Sequence, residues 1–420
     1  MTAAHDLVRV DAAAKQSDHA RRRDLALLYA ARAARNFGDG FAVIVLPAYL
    51  AAIGFEPAAI GIVATAALLG SALLTLSVGL LAPRFDLRSL LIAGAVLMAA
   101  TGLAMPNAEN IALIVAVAFV GTMNPSTGDM GVLVPIEHAM LAREASDADR
   151  TKVFARYSLI GAIATAAGAL AAATPDALRL AGIAALPALK AMLYGYGVLG
   201  LVGVACYRFL PRAAPAAEAR RDAPLGPSRR TVYRLAGLFS IDAFAGGFAV
   251  QSLVALWLFE RFGLSLASAS LFFFSTSVLS ALSFPAAARL ANRFGLVNTM
   301  VFTHLPSSVC LIVAALVPNL AAVLALLLVR AALSQMDVPT RTSYVMAVVT
   351  PQERPAAASV TAVPRTLAAS LSPALAGVLL ATPFSGLPLV ICGAFKIVYD
   401  VALLVSFRHI KPPEERAGDA

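Results

Sequence analysis

The chain has 420 residues, 60% hydrophobic and 14% charged, with a net charge of +9 and a mean hydropathy of +0.80. Soluble domains carry about 25% charged residues, so this composition excludes an ordinary soluble domain and belongs to the membrane class. The three cysteines, Cys206, Cys310 and Cys392, sit in apolar runs without metal-type spacing. They read as small buried hydrophobes, and neither a disulfide framework nor a metal centre is expected.

The polar stretch 1–24 reads as a cytoplasmic tail. It has no short apolar core followed by a cleavage site, so the first long helix is expected to direct its own insertion. A spanning helix needs roughly 20 mostly apolar residues. Such runs predict twelve spans, at about 25–53, 57–82, 88–105, 110–141, 153–173, 186–209, 233–260, 264–288, 296–317, 319–349, 355–381 and 386–407.

Span 1 contains "ARAARNFGDGFAVIVLP", which holds Arg32, Arg35 and Asp39 in an apolar run. A charge at mid-bilayer costs about 2.5–3.5 kcal/mol even on the lenient insertion scale, so it faces a partner or a wet cavity. Arg35 and Asp39 have the spacing of a helical ion pair. Asp39 is expected to be the main protonation site, with Arg35 tuning it, and Gly38 and Gly40 leave the adjacent backbone open to close approach. In span 4, "NPSTGDMGVLVP" places Asp129 between Pro125 and Pro135, which loosen the helix and free backbone carbonyls. Asn124 opens that stretch and is a substrate-binding candidate. Glu137 and His138 follow and are expected to be solvated, His138 having no second spaced ligand for a metal.

Span 7 reads "IDAFAGGFAVQSLVALW", the span 1 skeleton repeated with a different acid, Asp242, and with Gln251 as a polar candidate for substrate. The aromatics of "SLFFFSTS" in span 8 are expected to pack against lipid or neighbouring helices. Arg330 lies near mid-depth in span 10 with no acid four residues away, and should meet an anion from another helix or a substrate. Asp337 and Arg341 share ion-pair spacing nearer the end of that span, and Arg365 adds a cation in span 11. Lys396 and Asp400 are expected to form a structural pair in a peripheral span 12.

Basic residues cluster in alternate connections, from Arg21, Arg22 and Arg23 through Arg84, Arg88, Arg143, Arg150 and Lys152 to Arg289, Arg293 and Arg408. The positive-inside rule then puts both termini and the central linker in the cytoplasm. The net charge is therefore a topology signal, and nucleic-acid binding is not expected. The predicted organisation is a six-helix bundle at 25–210, a linker at 211–232, a second bundle at 233–407 and a tail at 408–420.

The halves repeat. "GLLAPRFDLRS" after span 2 matches "ARLANRFGLVN" after span 8, and Asp129 falls opposite Asp337 at an offset of 208 (337 − 129). On these features the chain resembles the major facilitator superfamily over nearly its whole length. The family signature Gly-x-Leu-Ala-Asp-Arg-x-Gly-Arg-Arg is read here as Gly79-Leu80-Leu81-Ala82-Pro83-Arg84-Phe85-Asp86-Leu87-Arg88. Gly79, Arg84 and Arg88 fit, Pro83 and Asp86 depart, and the second copy keeps Arg293 and Gly295. The resemblance implies an all-α membrane fold of twelve helices in two six-helix bundles around a cavity lined by spans 1, 4, 7 and 10. It assigns gating to Gly79, Arg84, Arg88 and Arg293, with Asp86 supplying the missing latch acid from a shifted position. In general character the chain is most similar to the drug:proton antiporter branch, without that branch's Gly-Pro pair in helix 5.

The expected function is secondary active transport in the cytoplasmic (inner) membrane by a monomer, coupled to protons. No Gly-x-x-x-x-Gly-Lys-Ser/Thr loop offers nucleotide energy, and no cofactor is expected. Asp39, Asp129, Asp242 and Asp337 are the candidate proton carriers; Arg330, Arg341, Arg365, Gln251 and Asn124 are the candidate substrate contacts. The leading reading is export of an amphipathic or toxic compound. The alternative is uptake or exchange of an organic anion bound by the arginines. A membrane enzyme is disfavoured because no His-Glu-x-x-His or equivalent is present, and a channel because the charges cluster on cavity helices instead of forming a repeated filter.

Overall fold

The computed structural model describes residues 2–81, 84–126, 131–144, 150–212, 225–350 and 352–409, with backbone alone at 2–20, 80, 81, 150, 151 and 355. In hydrocarbon every backbone N–H and C=O must be satisfied internally, and helices do this within one segment. The described residues accordingly form helices and no strand. Span 1 is Thr2–Ala52, span 2 Pro57–Leu81, span 3 Leu87–Ala104, span 5 Arg150–Ala171 and span 6 Ala185–Arg208. Spans 8, 9, 11 and 12 are Leu266–Phe294, Leu296–Leu316, Arg354–Leu380 and Leu387–Phe407.

Three spans are broken in mid-course. Span 4 is Ile111–Val120 then Leu133–Glu144, span 7 is Arg229–Gly247 then Gln251–Phe262, and span 10 is Leu320–Ser334 then Asp337–Ala347. All three belong to the set of four expected to line a cavity. The two prolines foretold the break in span 4; those in spans 7 and 10 were not foreseen, nor was a short helix at Thr174–Leu180. Ten segments, with spans 7 and 10 counted whole, are long and apolar enough to cross a membrane. The pieces of span 4 are individually too short, and Arg35, Asn36 and Asp39 dilute the apolar stretch of span 1.

An even number of spans in each half puts the start of span 1, the end of span 6, the start of span 7 and the end of span 12 at one end of the molecule, here the terminal end. The two halves are tied at the opposite, far end. Thr65 accepts from the backbone N–H of Ala374 at 2.8 Å, and Asp176 from that of Ala267 at 2.9 Å. The Ser252 N–H donates to the Pro125 carbonyl at 3.1 Å, joining the breaks of spans 4 and 7. Spans 2 and 11 cross through Gly61 and Gly377: a Cβ on Gly61 would lie 2.5 Å from the Pro373 carbonyl oxygen. Small residues permit this backbone approach, which supplies much of helix association in lipid. From these ties the space between the halves runs toward the terminal end, past Arg32, Ser280, Phe284 and Val338.

The expected linker 211–232 overlaps the first turn of span 7, which begins at Arg229. The described end of that linker is fastened by Glu353, just before span 11. Its carboxylate accepts from Ser228 Oγ and Thr350 Oγ1, both at 2.7 Å, and from the Gly226 N–H at 2.5 Å. Those bonds from the Ser228 and Thr350 hydroxyls hold its carboxyl down at about 2, against an ordinary 4.5. A depressed native pKa stabilises the fold above the unfolded value and loses that contribution as pH falls toward the folded one. Glu353→Gln should therefore flatten the loss of thermal stability between about pH 5 and pH 3, as read by a melting series in detergent.

Candidate functional site

Between the halves lies a cavity of about 410 Å³, walled by spans 1, 5, 7, 8 and 10, with span 4 contributing only Ser126 of its broken stretch among the described residues. That is within the roughly 300–1,000 Å³ range of small-molecule sites. Arg32, Asn36, Gln251, Arg330 and Gln335 line it together with serine and threonine hydroxyls, and no described carboxylate does. Arg330 projects from span 10, and its electrostatic neighbours are the thiols of Cys392 and Cys310. Arg32 is 1% exposed and rests over the Tyr157 ring at 4.4 Å. Gly161 makes room for it, since a Cβ there would meet the guanidinium at 2.6 Å. Asn36 donates to Thr165 Oγ1 at 3.1 Å and to the Gly161 carbonyl at 3.3 Å, which fixes span 1 on span 5.

Phe272 and Phe273 also line this cavity. Both are buried among neighbouring apolar side chains, as expected of the span 8 aromatics, and present part of their surface to the cavity. The second segment of span 7 begins at Gln251, so a helix N-terminus, the positive end of the helix dipole, opens on the cavity wall.

The other charges fall into two buried clusters, one in each half. In the N-terminal half Arg35 pairs with Glu137, which also accepts from the Tyr157 hydroxyl and from the Tyr207 hydroxyl, the latter at 2.5 Å. Glu137 is fully buried, so its expected solvation is wrong: the second segment of span 4 turns it into the bundle instead of toward water. The expected Arg35–Asp39 pair is likewise not made. Glu137 and the Tyr157 hydroxyl hold Arg35, and Asp39 instead accepts from the Tyr196 hydroxyl at 3.1 Å. That hydroxyl is also 3.1 Å from Thr122 Oγ1, in the broken stretch of span 4. Asp39 is off the central cavity, in a pocket of about 20 Å³ with Ser71, Gly121 and Thr122.

In the C-terminal half Arg341 Nη1 bridges Asp242 at 3.2 Å and Asp337 at 3.1 Å. Lys396 donates to the other oxygen of Asp242 at 2.6 Å. The expected Lys396–Asp400 pair is therefore corrected: Asp400 bonds His304 Nδ1 of span 9 at 2.9 Å, and span 12 is part of the charged core. Under the repeat, Arg35 corresponds to Asp242, 207 residues on (242 − 35). Each half thus ties its first span to the second segment of its fourth, with the charges exchanged.

Arg341 is buried in these pairs and does not line the cavity, contrary to its expected role as a substrate contact. Arg365 is also away from the cavity wall, facing Arg341, Asp242 and Asp337. Asn124 lines a separate pocket between spans 2, 4 and 11 and accepts from the Ser126 N–H at 3.1 Å. Asp129 lies outside the described residues, as do the side chains of Leu80 to Pro83 in the signature. Of the expected gating residues, Gly79 and Arg84 are exposed, and Arg88 donates to the Arg208 carbonyl at 2.5 Å. Asp86 caps span 3 through Ser89, and Arg293 lies 5.3 Å from the Phe294 ring.

Among the described residues no group of three His, Cys, Asp or Glu side chains could hold a metal ion. His304 was missed by sequence reading. It stands in "FTHLPSS", where nothing near it in sequence hints at partners on spans 7 and 12.

The family model described as Major Facilitator Superfamily matches residues 28–328 and 235–420. The chain is 24% identical to an uncharacterized membrane protein of Saccharomyces cerevisiae, over 92% of this chain and 94% of that protein. Its fold is similar to the crystal structure of the nucleoside transporter NupG (TM-score 0.70, 14% identity, covering 93% of this chain and 99% of that one). It is similar also to a bacterial homolog of the human lysosomal transporter Spinster in an inward-facing, unoccupied conformation (TM-score 0.71, 14% identity, 93% and 97%).

Proposed function

The chain belongs to the major facilitator superfamily and is a transporter that works by alternating access, and we propose that its cargo is a small organic anion held by Arg330. The observation that carries this reading is the cavity wall: two arginines, a helix N-terminus and several amides and hydroxyls, with no described carboxylate. Arg330 has no described carboxylate bonded to it, and a bound carboxylate or phosphate relieves the cost of its desolvation bidentately. Transport is coupled to protons, with Asp39 as the carrier, because every other described acid in the charged clusters is bonded to a cation or to His304. The basic connections support a cytoplasmic terminal end, so the arrangement tied at the far end is the inward-open state.

A second reading, export of an amphipathic compound as in the drug:proton branch, draws on Phe272 and Phe273 in the wall. Counterflow in proteoliposomes with a panel of small carboxylates and lipophilic cations separates the two. Saturable exchange of a carboxylate is expected, and exchange confined to lipophilic cations overturns the anion reading. An imposed pH gradient should drive uptake of the exchanged compound without sodium. A sodium requirement with no pH effect refutes the coupling.

A further inference from the structure

His304 sits in span 9, outside the spans that wall the cavity, and is 3% exposed. Its Nδ1 faces both oxygens of Asp400, at 2.9 and 3.0 Å. Its Nε2 is 3.2 Å from Lys396 Nζ. An ammonium has three donors and no acceptor, so Nε2 must accept and Nδ1 must carry the hydrogen given to Asp400. In this arrangement Nε2 has a donor in front of it and Nδ1 an acceptor.

The charge balance agrees. From span 7 the imidazole is faced by Asp242, and behind Asp242 lie Asp337 and Arg341 of span 10 and Arg365 of span 11. Span 12 adds Cys392, Lys396, Tyr399 and Asp400. With His304 neutral, three cations (Arg341, Arg365, Lys396) meet three carboxylates (Asp242, Asp337, Asp400). The cluster is therefore one proton short of a net positive charge.

The cap on Nε2 is weakly held. Lys396 is closer to Asp242, at 2.6 Å, than to the imidazole, and it reaches the cavity wall: a Cβ on Gly246, which lines the cavity, would lie 4.0 Å from Nζ. If Lys396 turns toward the cavity, the Nε2 lone pair is bare, with Asp242 Oδ1 already 3.8 Å away. An imidazolium there would lie between two carboxylates.

We propose that His304 is a proton-binding site of the C-terminal half, capped by Lys396, and that an anion entering the cavity uncaps it by drawing Lys396 toward Gly246. The proton passes from cavity water to Nε2, the imidazole gains one positive charge, and Lys396 keeps all its hydrogens. Substrate arrival and proton uptake are then linked through one side chain. This rests on the anion reading above, but its test does not need a substrate.

Full-length protein in nanodiscs, labelled with 13Cε1-histidine, is titrated across roughly pH 5–8, the window in which imidazoles change charge. The His304 signal is identified by its loss in His304→Gln, or in His304→Asn should the first variant not fold. The expected result is a signal that moves from the neutral to the imidazolium position, with wild type binding one proton more than the variant. In Lys396→Gln the midpoint should shift, because the cap is gone. A signal fixed at the neutral position, with equal proton uptake, overturns the site; an unchanged midpoint in Lys396→Gln overturns the cap. Failure of anion exchange in proteoliposomes is a separate result and leaves this titration readable.

Discussion

Arg330→Ala should lower transport at least about 30-fold while leaving expression, membrane insertion and thermal stability at wild-type levels. Truncating one side of a desolvated, hydrogen-bonded charge pair costs about 2–5 kcal/mol, and 1.4 kcal/mol is a factor of ten. The fold should not suffer, because no hydrogen bond or ion pair joins Arg330 to a described carboxylate; its removal leaves no buried anion behind. That separates it from Arg35 and Arg341, whose loss would strand Glu137 or Asp337 and cost about 3–5 kcal/mol of stability. Arg330→Lys should recover only part of the activity, since lysine lacks the planar fork that grips a carboxylate or phosphate. The measurement is initial-rate counterflow alongside a melting curve. Near-normal transport in the alanine variant would show that the cation is merely tolerated in the cavity.

The spans and the isolation of Arg330 were legible because each is a property of one segment. Apolar length, proline position and helical spacing are written locally. The partners of the charges were not. Arg35 has Asp39 four residues away, yet bonds Glu137 across a separation of 102 residues, because burial of Glu137 demands a cation and Asp39 already has a phenol. Lys396 and Asp400 failed for the same reason: they part to Asp242 and His304, 154 and 96 residues distant. A periodicity argument sees one helix and cannot rank partners on another. The break in span 4 was visible through Pro125 and Pro135, whereas span 7 breaks at Phe248–Val250 with no proline, and in span 10 Pro339, placed in its second segment as Pro135 is in span 4, was not read as the mark of a break. There the broken ends are stabilised by the cavity they line and by contacts such as Ser252 to Pro125, which belong to the tertiary fold.

Asp39→Asn should abolish uphill transport driven by a pH gradient and leave counterflow intact. The side chain is suited to this test because its replacement disturbs little: an asparagine oxygen can still accept from the Tyr196 hydroxyl. No ion pair is broken either, since Arg35 is committed to Glu137. The neighbouring pocket of about 20 Å³ has room for about one water, enough to deliver a proton. Tyr196 then links the carboxyl to Thr122, so a change of charge at Asp39 is felt at the break of span 4. That break in turn meets the break of span 7 through Pro125 and Ser252. Proton binding in one half thereby reaches the contact that ties both halves at the far end. Tyr196→Phe should keep the proton site but weaken the link, giving transport with fewer protons moved per substrate. Both variants are compared with wild type for uptake against a gradient and for exchange at equal concentrations, across pH. Should Asp39→Asn still concentrate substrate with an unchanged pH profile, the carboxyl is structural and another acid carries the proton. Should it abolish exchange as well, Asp39 serves substrate binding, and the separation of proton and anion sites inferred from the two cavities is wrong.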